Sequence, residues 1–243
     1  MGTLTGANLL SRVEDILQDA SNVRWSEAEL LRYINDGQRE VVNLRPEASA
    51  TTFVSTLATG TLQSIPTAGF KLLKVVRNMS AASGGTGKRV VRLVDFDSLN
   101  TQEPDWHDPD VTGSAAHGSI VKNYAFDPDD PRNYYVYPGI KSGSNAYIEI
   151  VYSKSPTDLS STSSTIAIDD IFGNALIDYT LFRSFQKDSE YAANAQRAGT
   201  HYQLFITSLS QGGQAKALAN PNFDYKGTTT IGGASGQVPP PTA

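Results

Sequence analysis

Residues 83–89, which read SGGTGKR, contain the glycines and the lysine of a phosphate-binding loop. In such a loop, backbone N–H groups at a helix N-terminus cradle the phosphates, and a Ser or Thr after the lysine holds magnesium. Here Ala82 stands where the first glycine is needed and Arg89 replaces the hydroxyl residue. The following residues also alternate like a strand, so we predict a flexible hairpin tip and not a nucleotide site.

Asp127, Asp129 and Asp130 are spaced like the first ligands of a calcium loop. An EF-hand also needs a glycine at the turn and a glutamate that closes the loop, and neither is present at the usual offset. Pro128 and Pro131 alternate with the aspartates, and both residue types favour turns. We therefore predict a rigid turn between strands and no metal site.

The three histidines, His107, His117 and His201, are far apart in the sequence and have no paired His or Cys neighbours of the kind that bind zinc. The chain has no cysteine, which removes disulfides and thiol catalysis. It also lacks the G-x-S-x-G element of a nucleophile elbow. We expect no catalytic residues, no cofactor and no enzymatic activity, although a dispersed active site is left open.

Aromatic residues are the remaining candidates for binding chemistry. Tyr134, Tyr135 and Tyr137 with Trp106 could form a platform for a sugar, but strand aromatics more often fill cores or interfaces. Trp25 is expected to anchor the N-terminal helices against the last helix. The residues predicted to be structural anchors are Trp25, Tyr33, Trp106, Tyr135 and Tyr137.

The composition is that of a soluble globular protein with a mild net charge of −5 over 243 residues. That length can bury a full core in one large domain or two small ones. A protein that draws its affinity from DNA phosphates needs a basic face, so this class is disfavoured, while a DNA-facing role without tight binding stays open. No stretch is apolar enough to predict a membrane span or a signal peptide.

The elements that position these residues begin with two helices. Ser26 is placed to cap a helix that runs to Leu44, with Glu27 and Glu29 in its first turn, and Pro46 prevents its continuation. The apolar stripe of this helix is Leu30, Leu31, Ile34, Val41 and Val42, and its polar surface is assigned to Asn35, Asp36, Gln38, Arg39 and Glu40. A stripe at 10–20 predicts a preceding helix, folded back on it as an antiparallel hairpin.

After Pro46 the hydrophobic period changes from helical to alternating. Residues rich in Val, Ile, Tyr and Thr predict about six strands, at 52–57, 71–79, 88–94, 119–125, 133–137 and 146–152. Their alternation favours an antiparallel sandwich or barrel with one solvated face. A short helix is predicted at 95–100.

From Ile168 the helical period returns. Asp169 or Asp170 is expected to cap one helix, and a second helix follows with a seam from Tyr191 to Leu209 that Gly212-Gly213 is expected to end. The predicted fold is α+β: an antiparallel helical bundle from the N- and C-terminal helices (1–46 and 166–210), an inserted β-sandwich or β-barrel lobe (47–165), and an extended Gly/Pro-rich arm (211–243).

Three segments together resemble a known family. The first motif, 25–46, reads W-x-E-x-E-L-x-x-Y-I-N-D-x-Q-R-E followed by Arg-Pro; the second, 103–107, contains P-D-W-H; the third, 126–138, reads F-D-P-x-x-P-x-x-Y-Y-V-Y-P. In this order and spacing they resemble the adaptor, or head-to-tail connector, proteins of tailed bacteriophages with short tails. The resemblance spans most of residues 1–210.

The resemblance implies a structural virion protein in the neck of the particle, assembled in the host cytoplasm. It implies a ring of twelve copies between the portal protein and the tail nozzle or tail fibre proteins, through which DNA is ejected without sequence-specific binding. We expect the arm to dock on the portal or on a neighbouring subunit through Gln211, Gly212, Gly213, Phe223, Tyr225, Ile231, Val238, Pro239, Pro240 and Pro241. The alternative is another virion tail module or a β-domain that binds a glycan or receptor.

Overall fold

A computed structural model describes residues 3–190 and 192–218, with side chains described as far as 210. This part of the chain is α+β, as predicted, and contains five α-helices and two four-stranded sheets. The helices are α1 (Gly6–Leu17), α2 (Glu27–Leu44), α3 (Phe96–Gln102), α4 (Gly173–Lys187) and α5 (Ala192–Leu218). The strands are β1 (Ala50–Thr56), β2 (Gly60–Ser64), β3 (Gly69–Met79), β4 (Gly87–Val90), β5 (Arg92–Leu93), β6 (Asn123–Ala125), β7 (Asn133–Ile140) and β8 (Tyr147–Lys154).

The N-terminal helices start at polar caps. Thr5 and Asn8 form a capping box at α1, and the Ser26 hydroxyl accepts the N–H of Glu29 at α2, as predicted. Between the helices, the Asp19 carboxylate accepts the backbone N–H groups of 23, 24 and 25. These three bonds lower the pKa of Asp19, the one from Trp25 most. The Asp19 side chain therefore holds 23–25, the part of the link that leads into α2.

Helices α1, α2, α4 and α5 share one hydrophobic core cluster. Its fully buried members include Leu9 in α1, Ile34 in α2, Leu176 in α4 and Phe205 in α5. Burying an aliphatic or aromatic side chain of this size contributes roughly 1.5–3 kcal/mol. The N-terminal and C-terminal helices of the described residues therefore share one core. No helix in the described ranges is long and apolar enough to cross a bilayer.

The residues between these helices form two sheets. The strand orders are β1-β8-β3-β4 and β2-β7-β6-β5. All pairings are antiparallel except that of β5 with β6, which is parallel and departs from the antiparallel prediction. Both sheets contribute to a second core cluster, with Ile148 and Ile150 from the first and Tyr134 and Val136 from the second.

Two details of the sheets differ from the sequence prediction. The segment predicted as one strand at 88–94 is divided at Val91, which is buried, so that β4 joins the first sheet and β5 the second. A single run of alternating residues cannot show that the chain changes partner, because the partner strands lie elsewhere in the sequence. Strand β2 was not predicted, since its sequence, GTLQS, contains one large apolar residue.

The C-terminal helices also differ from the prediction at their ends. Asp169 caps a short 3₁₀ helix, Asp170–Phe172, and α4 begins only after it. Helix α5 does not end at Gly212-Gly213 but continues to Leu218. A glycine inside a helix costs only about 1 kcal/mol relative to alanine, and the residues that follow, QAKAL, are good helix formers.

Candidate functional site

The phosphate-loop candidate is part of an antiparallel hairpin. Strands β3 and β4 pair across it, and Gly84 has the positive φ of a turn. A strand follows the glycines, so the segment has no helix N-terminus to direct N–H groups at a phosphate. The predicted hairpin tip is confirmed.

The aspartates at 127–130 form the predicted turn, between β6 and β7. The N–H of Asp129 bonds to the Asp127 carboxylate, and the N–H of Asp130 to the Asp127 carbonyl. The three side chains are exposed. Within the described residues, no group of three or more His, Asp or Glu side chains is arranged to hold a metal ion.

The second and third motifs meet in a third, smaller hydrophobic cluster. Trp106 is fully buried there, with its ring centroid 6.1 Å from that of Tyr135 and 6.3 Å from that of Tyr137, both in edge contacts. The indole Nε1 donates to Asn100 Oδ1 at 2.9 Å, and the Tyr137 hydroxyl to Glu103 Oε1 at 3.3 Å. Burial raises the pKa of Tyr137 above its ordinary value.

The burial of these aromatic residues decides between a sugar platform and a packing role. Trp106, Tyr134 and Tyr137 are buried, and Tyr135 is half-buried. A sugar platform needs an exposed ring face, so this group is placed as a packing element. The second and third motifs therefore contact each other in three dimensions.

His107, which follows Trp106 in the sequence, and His117, ten residues further on, both contact Trp106. The His107 ring lies against the indole, with 3.8 Å between centroids, and its Nδ1 is 2.7 Å from Thr61 Oγ1. His117 Nε2 is 3.3 Å from the Trp106 carbonyl oxygen. Partial burial, and secondarily the charge of His117, lower the pKa of His107. Sequence spacing gave no sign of this pair.

The first motif contains a buried polar clamp. Asn35 Nδ2 donates to the Leu159 carbonyl at 3.2 Å, and Asn35 Oδ1 accepts the Leu159 N–H at 2.8 Å. Gln38 Nε2 donates to Asn35 Oδ1, and Gln38 Oε1 accepts the N–H of Ala167 at 2.7 Å. Helix α2 thus holds the segment that connects β8 to α4. The expectation that both side chains belong to the polar surface was wrong, because these backbone groups need partners in the interior.

The remaining residues of the first motif also tie α2 to the C-terminal helices. The buried Trp25 donates from Nε1 to the Ser184 carbonyl at 3.3 Å, so its hydrogen bond is to α4 and not to the last helix. The Tyr33 hydroxyl donates to Glu29 at 2.7 Å, and Lys187 Nζ to the same carboxylate at 2.8 Å. Burial first, and then the bond to Glu29, raise the pKa of Tyr33 to about 12.

Arg45, of the Arg-Pro pair, joins the end of α2 to α5. Its Nη2 donates to the carbonyls of Leu209 at 2.7 Å and Ser210 at 3.2 Å. Pro46 begins a 3₁₀ turn that leads into β1. The Arg-Pro pair thus lies where the chain leaves the helices for the sheets.

The predicted arm residues are only partly covered by the described residues. Gln211, Gly212 and Gly213 lie in the backbone of α5. Phe223, Tyr225, Ile231, Val238, Pro239, Pro240 and Pro241 lie outside the described residues.

The three motifs supply internal contacts: the first ties α2 to α4, α5 and the 159–167 segment, and the second and third pack α3 against β7. A family model described as SU10 adaptor protein matches residues 4–223, a range that includes all three hydrophobic clusters, and the chain belongs to this family. Membership makes it a bacteriophage adaptor, a structural component of the virion whose partners are portal and tail proteins. No curated protein matches the sequence.

Proposed function

We propose that this adaptor forms the ring that joins the portal to the tail nozzle, with twelve copies around the DNA exit channel. The observation that carries the proposal is the family match over residues 4–223, which covers both the helices and the sheets. A closed ring repeats one heterologous interface, so each subunit needs two different complementary faces. The helices and the sheets have separate cores and can supply such faces.

The finer architecture proposed for the ring subunit is an antiparallel bundle with an inserted sandwich at 47–165. Two observations support it. The four long helices share one core cluster, and the two sheets share another. In addition, Asn35 and Gln38 hydrogen-bond to 159–167, and so hold the segment through which the chain passes from the sheets to α4.

The channel wall and the arm complete the proposal. A chain with a net charge of −5 repels DNA phosphates on average, which suits a conduit that must not retain DNA. The arm after α5 extends onto the portal, and the nozzle and tail fibres attach at the other end of the ring. Assembly takes place in the host cytoplasm, before DNA is ejected through the channel without sequence-specific contacts.

The experiment that tests this proposal is the mass of the purified protein by light scattering, first alone and then mixed with the portal protein of its phage. We expect a ring-sized species in the mixture, and a mass near that of twelve subunits for the adaptor layer. A stable monomer that ignores the portal contradicts the proposal. Saccharides should leave the melting temperature unchanged, whereas a ligand of the sheets would raise it by linkage.

A further inference from the structure

A cluster of cations lies on the edge strands of both sheets in this otherwise acidic chain. One concavity of about 260 Å³ is lined by Arg89 and Val90 of β4, Arg92 of β5, and Lys122 and Asn123. Lys88, Arg89 and Arg92 are exposed, and within the described residues none of these three side chains forms an ion pair. The unpaired charges repel one another, so an anionic surface would be stabilised here.

Large apolar side chains are exposed on the same strands and beside them. Val90, Leu93 and Ile120 are 61%, 64% and 52% exposed. Apolar residues interleaved with arginine are typical of protein interfaces, whereas contacts to DNA phosphates use polar and cationic groups without such side chains. We call these residues, Lys88, Arg89, Val90, Arg92, Leu93, Ile120 and Lys122, the basic pole.

The turn at Asp127, Asp129 and Asp130 lies at the other end of β3. The Leu72 N–H donates to the Pro131 carbonyl at 2.9 Å, which places the turn beside Leu72. Asn78 bonds to the carbonyls of Arg89 and Val121, which places the basic pole beside Asn78. Leu72 pairs with Tyr152 and Asn78 with Ile148, four residues apart on β8, so the two clusters are separated by about 13 Å at roughly 3.3 Å per residue.

From this arrangement we propose that the basic pole of one subunit binds the 127–130 turn of the next subunit, and that this contact forms part of the interface that closes the ring. The inference rests on the proposed function and names the faces that the ring uses. A second copy is the occupant that the chain itself supplies, because the turn is exposed, carries three carboxylates and lies far enough from the basic pole to meet a neighbour. Two unlike faces at opposite ends of one strand are what a head-to-tail contact requires.

Paired charge reversals test the contact. The double variant Arg89→Glu/Arg92→Glu reverses the charge of the basic pole, and Asp129→Lys/Asp130→Lys reverses that of the turn. The control is Lys74→Glu, because Lys74 is an exposed cation on β3 outside both clusters. Each reversal should weaken self-association or portal-dependent assembly at least about 10-fold at low salt, since like charges now face each other. An equimolar mixture of the two reversed proteins should assemble again, because every contact then joins opposite charges. Unchanged melting temperatures would show that all variants fold.

Zero-length carbodiimide cross-linking gives a second readout that does not need a complete ring. It joins a lysine amine directly to a carboxylate, and Lys88 lies about 13 Å along β3 from the 127–130 turn, so a link between the two is expected to join two chains. Cross-linked peptides between these segments in a dimer band support the contact, even if rings never form and the ring proposal fails. The proposed contact would be overturned if rings still assembled with both charge reversals. It would also be overturned if concentrated or portal-bound protein gave no cross-linked peptides between these segments. A charge reversal that abolishes DNA binding and leaves assembly unchanged would also overturn the proposed contact.

Discussion

The side chain of Asn35 makes with Leu159 the two hydrogen bonds that a neighbouring strand would make, although the residues are 124 positions apart. Asn78 makes the same pair of bonds with Val121: its Nδ2 donates to the Val121 carbonyl at 2.7 Å, and its Oδ1 accepts the Val121 N–H at 2.8 Å. Each asparagine satisfies both polar groups of a buried backbone unit. In both places a side chain joins segments that no regular strand pairing connects.

Asn35→Ala should destabilise the protein by about 2–4 kcal/mol, because it leaves the N–H and C=O of Leu159 and one bond of Gln38 without partners in the interior. Urea denaturation measures the change. Asn43→Ala, at an exposed position of the same helix, is the control and should change stability by less than about 0.5 kcal/mol. Equal effects of the two substitutions would show that the clamp contributes nothing.

Trp25→Ala should cost about 3–5 kcal/mol, since it removes a large buried side chain and leaves the Ser184 carbonyl without its indole donor. Trp25→Phe keeps most of the packing and should cost less. The melting temperature and the denaturation midpoint measure both changes. If Trp25→Ala leaves the monomer unchanged but weakens assembly, Trp25 belongs to a subunit interface.

Two helical glycines should respond in opposite ways to alanine. A Cβ at Gly37 would lie 3.0 Å from the Tyr179 ring and 3.2 Å from Leu176, so Gly37→Ala should destabilise by about 1–3 kcal/mol through overpacking of α2 against α4. Nothing lies within 4 Å of a Cβ at Gly199, so Gly199→Ala should stabilise by about 0.5–1 kcal/mol. Thermal denaturation compares them directly, and a stabilising Gly37→Ala would contradict the close approach of the helices.

The hydrogen bond from Lys187, and secondarily that from Tyr33, lower the pKa of Glu29 below its ordinary 4.5. A lowered folded-state pKa contributes stability that is present above the unfolded value and lost as pH falls through the folded value. Wild type should therefore exceed Glu29→Gln in stability at neutral pH, and the difference should shrink below pH 4.5. Denaturation midpoints from pH 7 to about 3 give the curve, and a difference independent of pH would contradict this assignment.

Truncation after Leu218 should leave a folded protein that no longer joins portal-bearing capsids. Leu209 is the last member of the helical core cluster among the described side chains, and Arg45 bonds to Leu209 and Ser210, so these contacts survive the cut. Unchanged circular dichroism with lost capsid binding is the expected pair of results. Retained attachment would refute the docking role of the arm.

The sequence by itself determined the elements whose signals are local. Ser26 with Glu29 defined the start of α2, alternating Val, Ile and Tyr located β3, β7 and β8, and the aspartates and prolines at 127–131 defined a turn. Caps, turns and hydrophobic periods act within a few residues, so they can be recognised in one sequence. The order of the three motifs likewise sufficed to indicate the family.

Only the tertiary structure decided what depends on distant partners. It buried Asn35 and Gln38 against 159–167, divided 88–94 between two sheets, and placed Thr61 beside His107 and His117 beside the Trp106 carbonyl. A polar residue at the edge of an apolar stripe is equally suited to solvent or to an interior partner. What decides is the position of a buried backbone group more than a hundred residues away, and a single sequence does not record that position.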